Sequence, residues 1–207
     1  MSVTIASPTV VAPTSPRAPG RPRSAEAEQS ILQATLELLA EQGITRLSVE
    51  GVAARAGVGK ATIYRRYPAK ADLVLAALTL LSDEVRPVTG NRVREDLITL
   101  VDAVRKRASS TLAGQILPRL LADAPDNPEI MDRYRERTLR PRRELMLGVL
   151  RRGIDEGLIR PDLDPEDLCD MLVGPVFNRI LKCGADGVGG REYATLVVDT
   201  VLRGCRP

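Results

Sequence analysis

The 207-residue chain has no histidine, no tryptophan, one phenylalanine and four tyrosines. Without histidine there is no Ser-His or Cys-His nucleophile pair and no imidazole metal ligand. The three cysteines, Cys169, Cys183 and Cys205, are odd in number, widely spaced and fit no metal pattern. They read as free, buried thiols in a reducing cytoplasm. No run of apolar residues approaches the ~18 that suggest a membrane span, so no membrane partner is expected. The glycines of "GADGVGG" (residues 184–190) lack the Walker spacing, its lysine and a preceding strand, so they read as a helix–helix linker. No metal, cofactor or catalytic residue is therefore expected. The first 16 residues carry three prolines and no charged side chain. A secretory leader needs a basic start and an unbroken apolar segment, so this stretch reads as disordered lead-in.

What is present is unevenly charged. Residues 17–70 hold nine Lys and Arg against five Glu, while the remainder holds 21 basic against 22 acidic residues. The net positive charge of +3 thus comes from the N-terminal third, which suggests a polyanionic partner for that part only.

Punctuation along the chain predicts helices throughout and no strand of useful length. Ser24 is a candidate N-cap, followed by Glu26 and Glu28 near the positive end of the helix dipole. Ile31, Leu32, Thr35, Leu38 and Leu39 recur at helical spacing, and Gly43 ends that helix. Ser48 caps the next, with Leu47 and Val52 placed as a hydrophobic staple. Gly57 supplies the positive φ of a sharp turn, Val58 plugs the core, and Gly59 opens a third helix that ends before Pro68. Helices this short are marginal alone, so they need the first helix as a brace, through Ile31, Leu38, Val52, Val58 and Ile63. Two short helices around such a turn form a helix-turn-helix. Ile63 points inward, leaving Lys60, Thr62, Tyr64, Arg65 and Arg66 at the outside or edge. A helix fits the major groove of B-DNA, where base edges are distinguishable, and cations neutralise the flanking phosphates.

Across "ILQATLELLAEQGITRLSVEGVAARAGVGKATIYRRYPAKADLVLAAL" the chain resembles the DNA-binding domain of TetR/AcrR-type bacterial transcriptional regulators. The resemblance lies in Gly43, Thr45, Val52-Ala53, Ala56-Gly57-Val58, Tyr64, Tyr67, Lys70 and Leu73. It departs at Gly59, where a serine cap is common, at Pro68-Ala69, which leaves the fourth helix poorly capped, and at Tyr67, where phenylalanine is commoner. The resemblance implies an all-α homodimer of about nine helices per chain. Residues 1–23 would be a disordered basic arm, 24–70 a three-helix DNA-binding domain, and 71–207 a helical ligand-binding and dimerisation domain. It further implies a ligand-responsive regulator in the cytoplasm, most simply a repressor released from a palindromic operator by a small-molecule inducer. The alternative is a helical small-molecule binder or enzyme that has lost DNA binding.

By position, Lys60, Thr62 and Tyr64 match residues at bases or adjacent phosphates; Arg65 and Arg66 are less common there and could reach either, and Ala61 is counted with them in the DNA-binding set. Tyr67 and Lys70 match backbone-phosphate positions, and Ser48 is a cap first and a phosphate contact second. Arg21 and Arg23, with Arg17, form either an arm in the neighbouring minor groove or a solubilising tail.

Beyond residue 70, a helix apolar nearly all round (73–81) must be buried between domains, ending near Pro87 and Gly90. Further helices are marked by Val93 to Val104 and by Leu112 to Leu121 with Pro118 interrupting. Asn127-Pro128-Glu129 starts another, which could run to Gly157 with a kink at Pro141. Asp164-Pro165-Glu166 starts the next, bent at Gly174-Pro175, and a last helix holds Tyr193 to Val201. These last two are expected to pair with a second copy. With only Tyr134 and Phe177 available for stacking, the ligand is expected to be aliphatic or mixed. Leu100, Val104, Ile116, Leu120, Met131, Tyr134, Thr138 and Phe177 are the candidate lining, although Met131 and Tyr134 are residues more often found in a core.

Overall fold

Gly43 (φ 77°) breaks the first helix where a glycine is expected, because a side chain at that φ is strained. In the computed structural model, which describes residues 22–81, 88, 90, 92–109 and 111–206, every regular element is helical. The elements are α1 (Pro22–Arg46), α2 (Val49–Ala56), α3 (Lys60–Tyr64), α4 (Lys70–Leu80), α5 (Val93–Ser109), α6 (Thr111–Ala122), α7 (Pro128–Tyr134), α8 (Arg140–Asp155), α9 (Pro165–Cys183) and α10 (Arg191–Gly204). A π-helical turn, Arg135–Leu139, joins α7 to α8 without interruption. Counted as one rod, they leave nine helices among the described residues.

Helix α1 starts at Pro22, two residues before the expected cap Ser24, so the backbone of Arg23 lies in its first turn. Proline at a helix start loses nothing, since its missing N–H would have no intrahelical acceptor. Arg17 and Arg21, and the helix end expected at Pro87, lie outside the described residues.

Two apolar cores divide the fold. The first gathers α1 to α4, with Ile31, Leu39, Val52, Ile63 and Leu73 essentially inaccessible, and takes in Ile116 and Leu120 of α6 and Ile130, Met131 and Tyr134 of α7. The second joins α5, α8, α9 and α10 around Leu97, Leu147, Leu150, Leu172 and Val198. Val188, in the 3-10 turn Ala185–Val188, is buried there, so the glycine-rich linker contributes to packing. Of the cysteines, Cys169 and Cys205 are buried and free as expected, whereas Cys183, at the end of α9, is exposed.

Proline outcomes differ by position. Pro118 sits within α6, which continues through it. Pro141 lies at the second position of α8, and the helix ahead of it widens: the Arg140 N–H reaches back five residues to the Arg135 carbonyl. A proline ring clashes with the carbonyl four residues earlier, and a π-turn relieves that crowding without breaking the rod. The expected kink is thus a widened turn. Asn127 precedes α7 but makes no side-chain cap; its Nδ2 instead donates to Thr45 Oγ1 (3.1 Å) and to the Asp123 carbonyl (3.0 Å).

Candidate nucleic-acid interface and cavity

The local rules hold well in the helix-turn-helix. Ser48 Oγ accepts from the Gly51 N–H (3.1 Å), satisfying an N–H that a helix start leaves open. Gly57 closes α2 in the left-handed region (φ 67°), with no atom near enough to crowd a Cβ, so conformation and not space selects glycine here. The turn is sealed by the Val58 N–H on the Ala53 carbonyl (3.0 Å). Regular helix in α3 ends at Tyr64, but backbone bonds carry the coil on, the Tyr67 N–H reaching the Ile63 carbonyl at 2.8 Å.

Ile63 is fully buried against α1 and α2, and this orients the remainder of α3. Residues 60, 61, 64 and 65 are exposed and share one arc of the helix, as spacings of one and four residues dictate. Tyr64 leaves 47% of its surface in solvent. Thr62 and Arg66 are half-buried at the edges, and Arg66 Nη1 donates to the Thr62 carbonyl (3.3 Å), lying back along the helix. Lys60 Nζ lies 2.9 Å from Glu50 Oε1, which holds that carboxyl below its usual pKa. Both partners are exposed, so the pair is weak and a phosphate can replace the carboxylate.

Tyr67 and Lys70 are less open than their expected phosphate roles suggest. The Tyr67 ring belongs to the first core, and its hydroxyl donates to Glu28 Oε1 (3.3 Å). Burial, and then Glu28, push the phenol pKa up. Lys70 is half-buried at the first position of α4; burial lowers its pKa while nearby Asp123 opposes the shift. The missing cap of α4 is supplied from within: Asp72 Oδ2 accepts from the Ala69 N–H (3.2 Å).

Two polar contacts missed by sequence reasoning tie this head to the rest. Asp123 Oδ2, at the end of α6, accepts from the N–H groups of Ile44 (2.6 Å) and Thr45 (3.2 Å), which the break at Gly43 would otherwise leave open. Asp72 Oδ1 accepts from Arg133 Nη2 of α7 (2.6 Å), a contact that holds the Asp72 carboxyl below its ordinary value. Neither has a local signal, since the partners lie 79 and 61 residues apart.

A cavity of about 650 Å³ opens between α5, α6, the α7–α8 rod and α9. This is the size of pockets that hold small organic ligands. Of the eight expected lining residues, Val104, Tyr134 and Phe177 are there. Ile116, Leu120 and Met131 lie in the first core, because the apolar stripes of α6 and α7 face the head. Leu100 packs against the second core. Thr138 lines a smaller cavity of about 140 Å³ with Asp72 and Arg137. Residues not anticipated include Leu117, Met146, Cys169 and Val173 on the apolar side, and Arg107, Arg135, Arg140, Arg142 and Arg143, with Glu136 and Asp170, on the polar side. The arginine-rich "RPRR" at the start of α8 carries no local signal of a cavity, which forms only where α5, α6 and α9 pack beside it. Burial raises the pKa of the Tyr134 phenol, opposed by the guanidiniums of Arg107 and Arg142. Burial likewise raises the Cys169 thiol, whose Sγ lies 3.6 Å from Met146 Sδ.

A head with one exposed, cation-bearing helix face, joined to a helical body with a cavity, is the architecture of a DNA-binding regulator. Residues 31–77 match the family described as bacterial regulatory proteins, tetR family, and residues 87–201 match the tetracyclin repressor-like C-terminal domain. The chain therefore belongs to the TetR family of helix-turn-helix transcriptional regulators. It is 33% identical over 182 residues to the uncharacterized HTH-type transcriptional regulator YdeS of Bacillus subtilis, covering 87% of this chain and 90% of that one. It is 31% identical over 194 residues to the DNA-binding transcriptional repressor TetR of Mycobacteroides abscessus, covering 91% and 96%. Among solved structures, the TetR family regulator SCO0332 matches with TM-score 0.58 and 31% identity, over 88% of this chain and all of that one. The FadR regulator from Bacillus subtilis in complex with stearoyl-CoA shares the fold, with TM-score 0.68 and 18% identity over 86% and 99%. No helix among the described residues is long and apolar enough to cross a membrane.

Proposed function

We propose that the chain is a cytoplasmic repressor without catalytic activity, binding a palindromic operator as a homodimer and released by a small-molecule ligand. The observation that carries this reading is the exposed arc of Lys60, Ala61, Tyr64 and Arg65 opposite the buried Ile63. In it, α3 lies in the major groove, Lys60, Ala61, Tyr64 and Arg65 meet bases or their phosphates, and Thr62 and Arg66 approach from the edges. Ser48, the Tyr67 hydroxyl and Lys70 take phosphates, with Arg21 and Arg23 in the minor groove beside them. Met171 and Leu181 on α9 and Leu196 on α10 are exposed apolar side chains, which supports pairing of these two helices with a second copy. Two copies present two reading heads to two half-sites.

The cavity and the head share one rod. Arg133 of α7 grips Asp72 at the start of α4, and the next residues, Tyr134 to Glu136, already line the cavity. The π-turn Arg135–Leu139 carries Arg135 and Glu136 of that lining, and widened turns are a recurrent feature of functional helices. A ligand that displaces this turn shifts Arg133, and with it α4 and the head. With an inducer found by thermal-shift screening, Arg133→Gln should bind that inducer normally yet lose most of its effect on DNA affinity. Such coupling is typically worth about 1–3 kcal/mol. Full retention of inducer response in a fluorescence-anisotropy titration would remove Arg133 from the route.

The function is tested by gel shift of the purified protein on DNA upstream of its own gene, over a range of salt. Phosphate-dominated binding falls steeply with salt. Lys70→Ala should weaken binding to operator and scrambled duplex alike and lower the salt slope by about one unit. A loss confined to the operator would contradict a phosphate role. No binding to any duplex at low salt would reject the repressor reading altogether.

A further inference from the structure

The π-turn of the α7–α8 rod separates the large cavity from the small one. Its Arg135, Glu136 and Leu139 line the large cavity, while Arg137 and Thr138 line the small one of about 140 Å³. The far wall of the small cavity is α4, with Asp72, Leu75, Ala76 and Thr79. Asp72 thus lies near two arginines of the rod that are one turn apart. Arg133 Nη2 holds Asp72 Oδ1 at 2.6 Å. Arg137 is exposed and makes no hydrogen bond or ion pair among the described residues, although it borders the same small cavity as Asp72. The Asp72 carboxyl is held below its ordinary pKa first by the Arg133 bond and, among lesser causes, by the charge of Arg137.

Resting on the reading of the chain as a ligand-released repressor, we propose that Asp72 is a two-position catch: Arg133 holds it in the DNA-binding state, and Arg137 takes it over when the π-turn moves into the small cavity. Packed helices slip between discrete positions and do not deform continuously, and a step of about one turn is a known form of that slip. The small cavity supplies the space. Closing it restores contacts that atoms lining a void lack. Neither position leaves the Asp72 carboxylate without a guanidinium, so the two states are close in energy and a modest push decides between them. A ligand in the large cavity delivers that push to Arg135, Glu136 and Leu139 from the opposite side of the turn. The exchange takes α4 with it, and Leu73, Val74 and Ala77 of α4 are buried in the core of the head.

The catch is tested without any ligand, on the full chain, by anisotropy with the duplex upstream of its own gene at fixed salt. Arg133→Gln removes the holding partner, Asp72 passes to Arg137, and DNA affinity should fall about fivefold or more, the low end of usual coupling between sites. Arg137→Gln alone should leave the affinity unchanged. Arg133→Gln combined with Arg137→Gln favours neither position, and affinity should return most of the way to that of the parent. Ala76→Val narrows the small cavity and should also restore binding in the Arg133→Gln background. Two substitutions that only damage packing do not rescue one another, so recovery separates the catch from a merely structural role for these residues. Either double variant binding no better than Arg133→Gln overturns the proposal, as does a parental affinity for Arg133→Gln or a weakened one for Arg137→Gln alone. A parent that binds no duplex refutes the repressor reading itself and the catch with it, a result distinct from a parent that binds and variants that show no recovery.

Discussion

Ile63→Ala should lower the stability of the DNA-binding head by about 2–5 kcal/mol, the usual cost of emptying a fully buried isoleucine site. Ile63 is inaccessible and is the one fully buried side chain of the five-residue α3. Its removal costs more than packing, because a helix this short has no stability of its own and is held only by its neighbours. Urea denaturation should show a lower midpoint, and operator affinity should collapse under conditions where the α5 to α10 body remains helical. Ile63→Val keeps most of the volume and should cost no more than about 1.5 kcal/mol. Equal midpoints for the alanine variant and the parent would mean that α3 is not clamped through this residue.

The other large effect lies in the body. Asp102 is only 2% exposed and faces three cations: Arg105 Nε at 2.7 Å, Lys106 Nζ at 3.2 Å and Arg191 Nη1 of α10 at 3.5 Å. Burial alone would raise its pKa, but the bonds from Arg105 and Lys106 outweigh burial and leave it lowered. Asp102→Ala removes the carboxylate from the guanidinium of Arg105, which is itself 11% exposed and keeps only its bond to the Gly189 carbonyl (2.7 Å), and it removes the contact of α5 with Arg191 at the start of α10. Breaking a buried pair by removing one partner costs about 3–5 kcal/mol. A carboxyl whose folded pKa is lowered stabilises the fold above its unfolded value, and this contribution is lost as pH falls through the folded pKa. The gap between parent and variant should therefore be full at pH 7 and shrink below the ordinary aspartate value of about 3.9. A gap that does not change with pH would assign the loss to packing and not to the ion pair.

Legibility in the sequence followed the range of the interactions. Ser48 as a cap, Gly57 as a left-handed turn, Ile63 as the inward residue and Asp164 as the cap of α9 are all decided within a few residues, and all appear as read. The start of α1 was misplaced because a proline-rich basic stretch looks like an arm, although proline is welcome at a helix start. Asn127 carries the right signal for a cap but finds better partners in Thr45 and the Asp123 carbonyl, which only the docked head provides. The cavity was the least legible part. Apolar residues such as Ile116 and Met131 advertised a lining, but their stripes were claimed by the head, and the wall was completed by arginines that composition assigns to solvent. Which face of a half-charged helix is covered depends on its neighbours, and periodicity alone does not name them.

The assignment of α3 as the reading element is tested most directly by the affinity ratio between operator and scrambled duplex, measured by anisotropy at fixed salt for the parent and for Tyr64→Ala. Tyr64 is exposed at the centre of the outward arc and makes no hydrogen bond or ion pair within the described structure, so its loss should leave the fold and the dimer unchanged. The ratio should fall by an amount equivalent to about 1–3 kcal/mol, the worth of one contacted base pair. An unchanged ratio, with the variant folded and still discriminating the operator fully, would contradict the placement of this helix face on the bases.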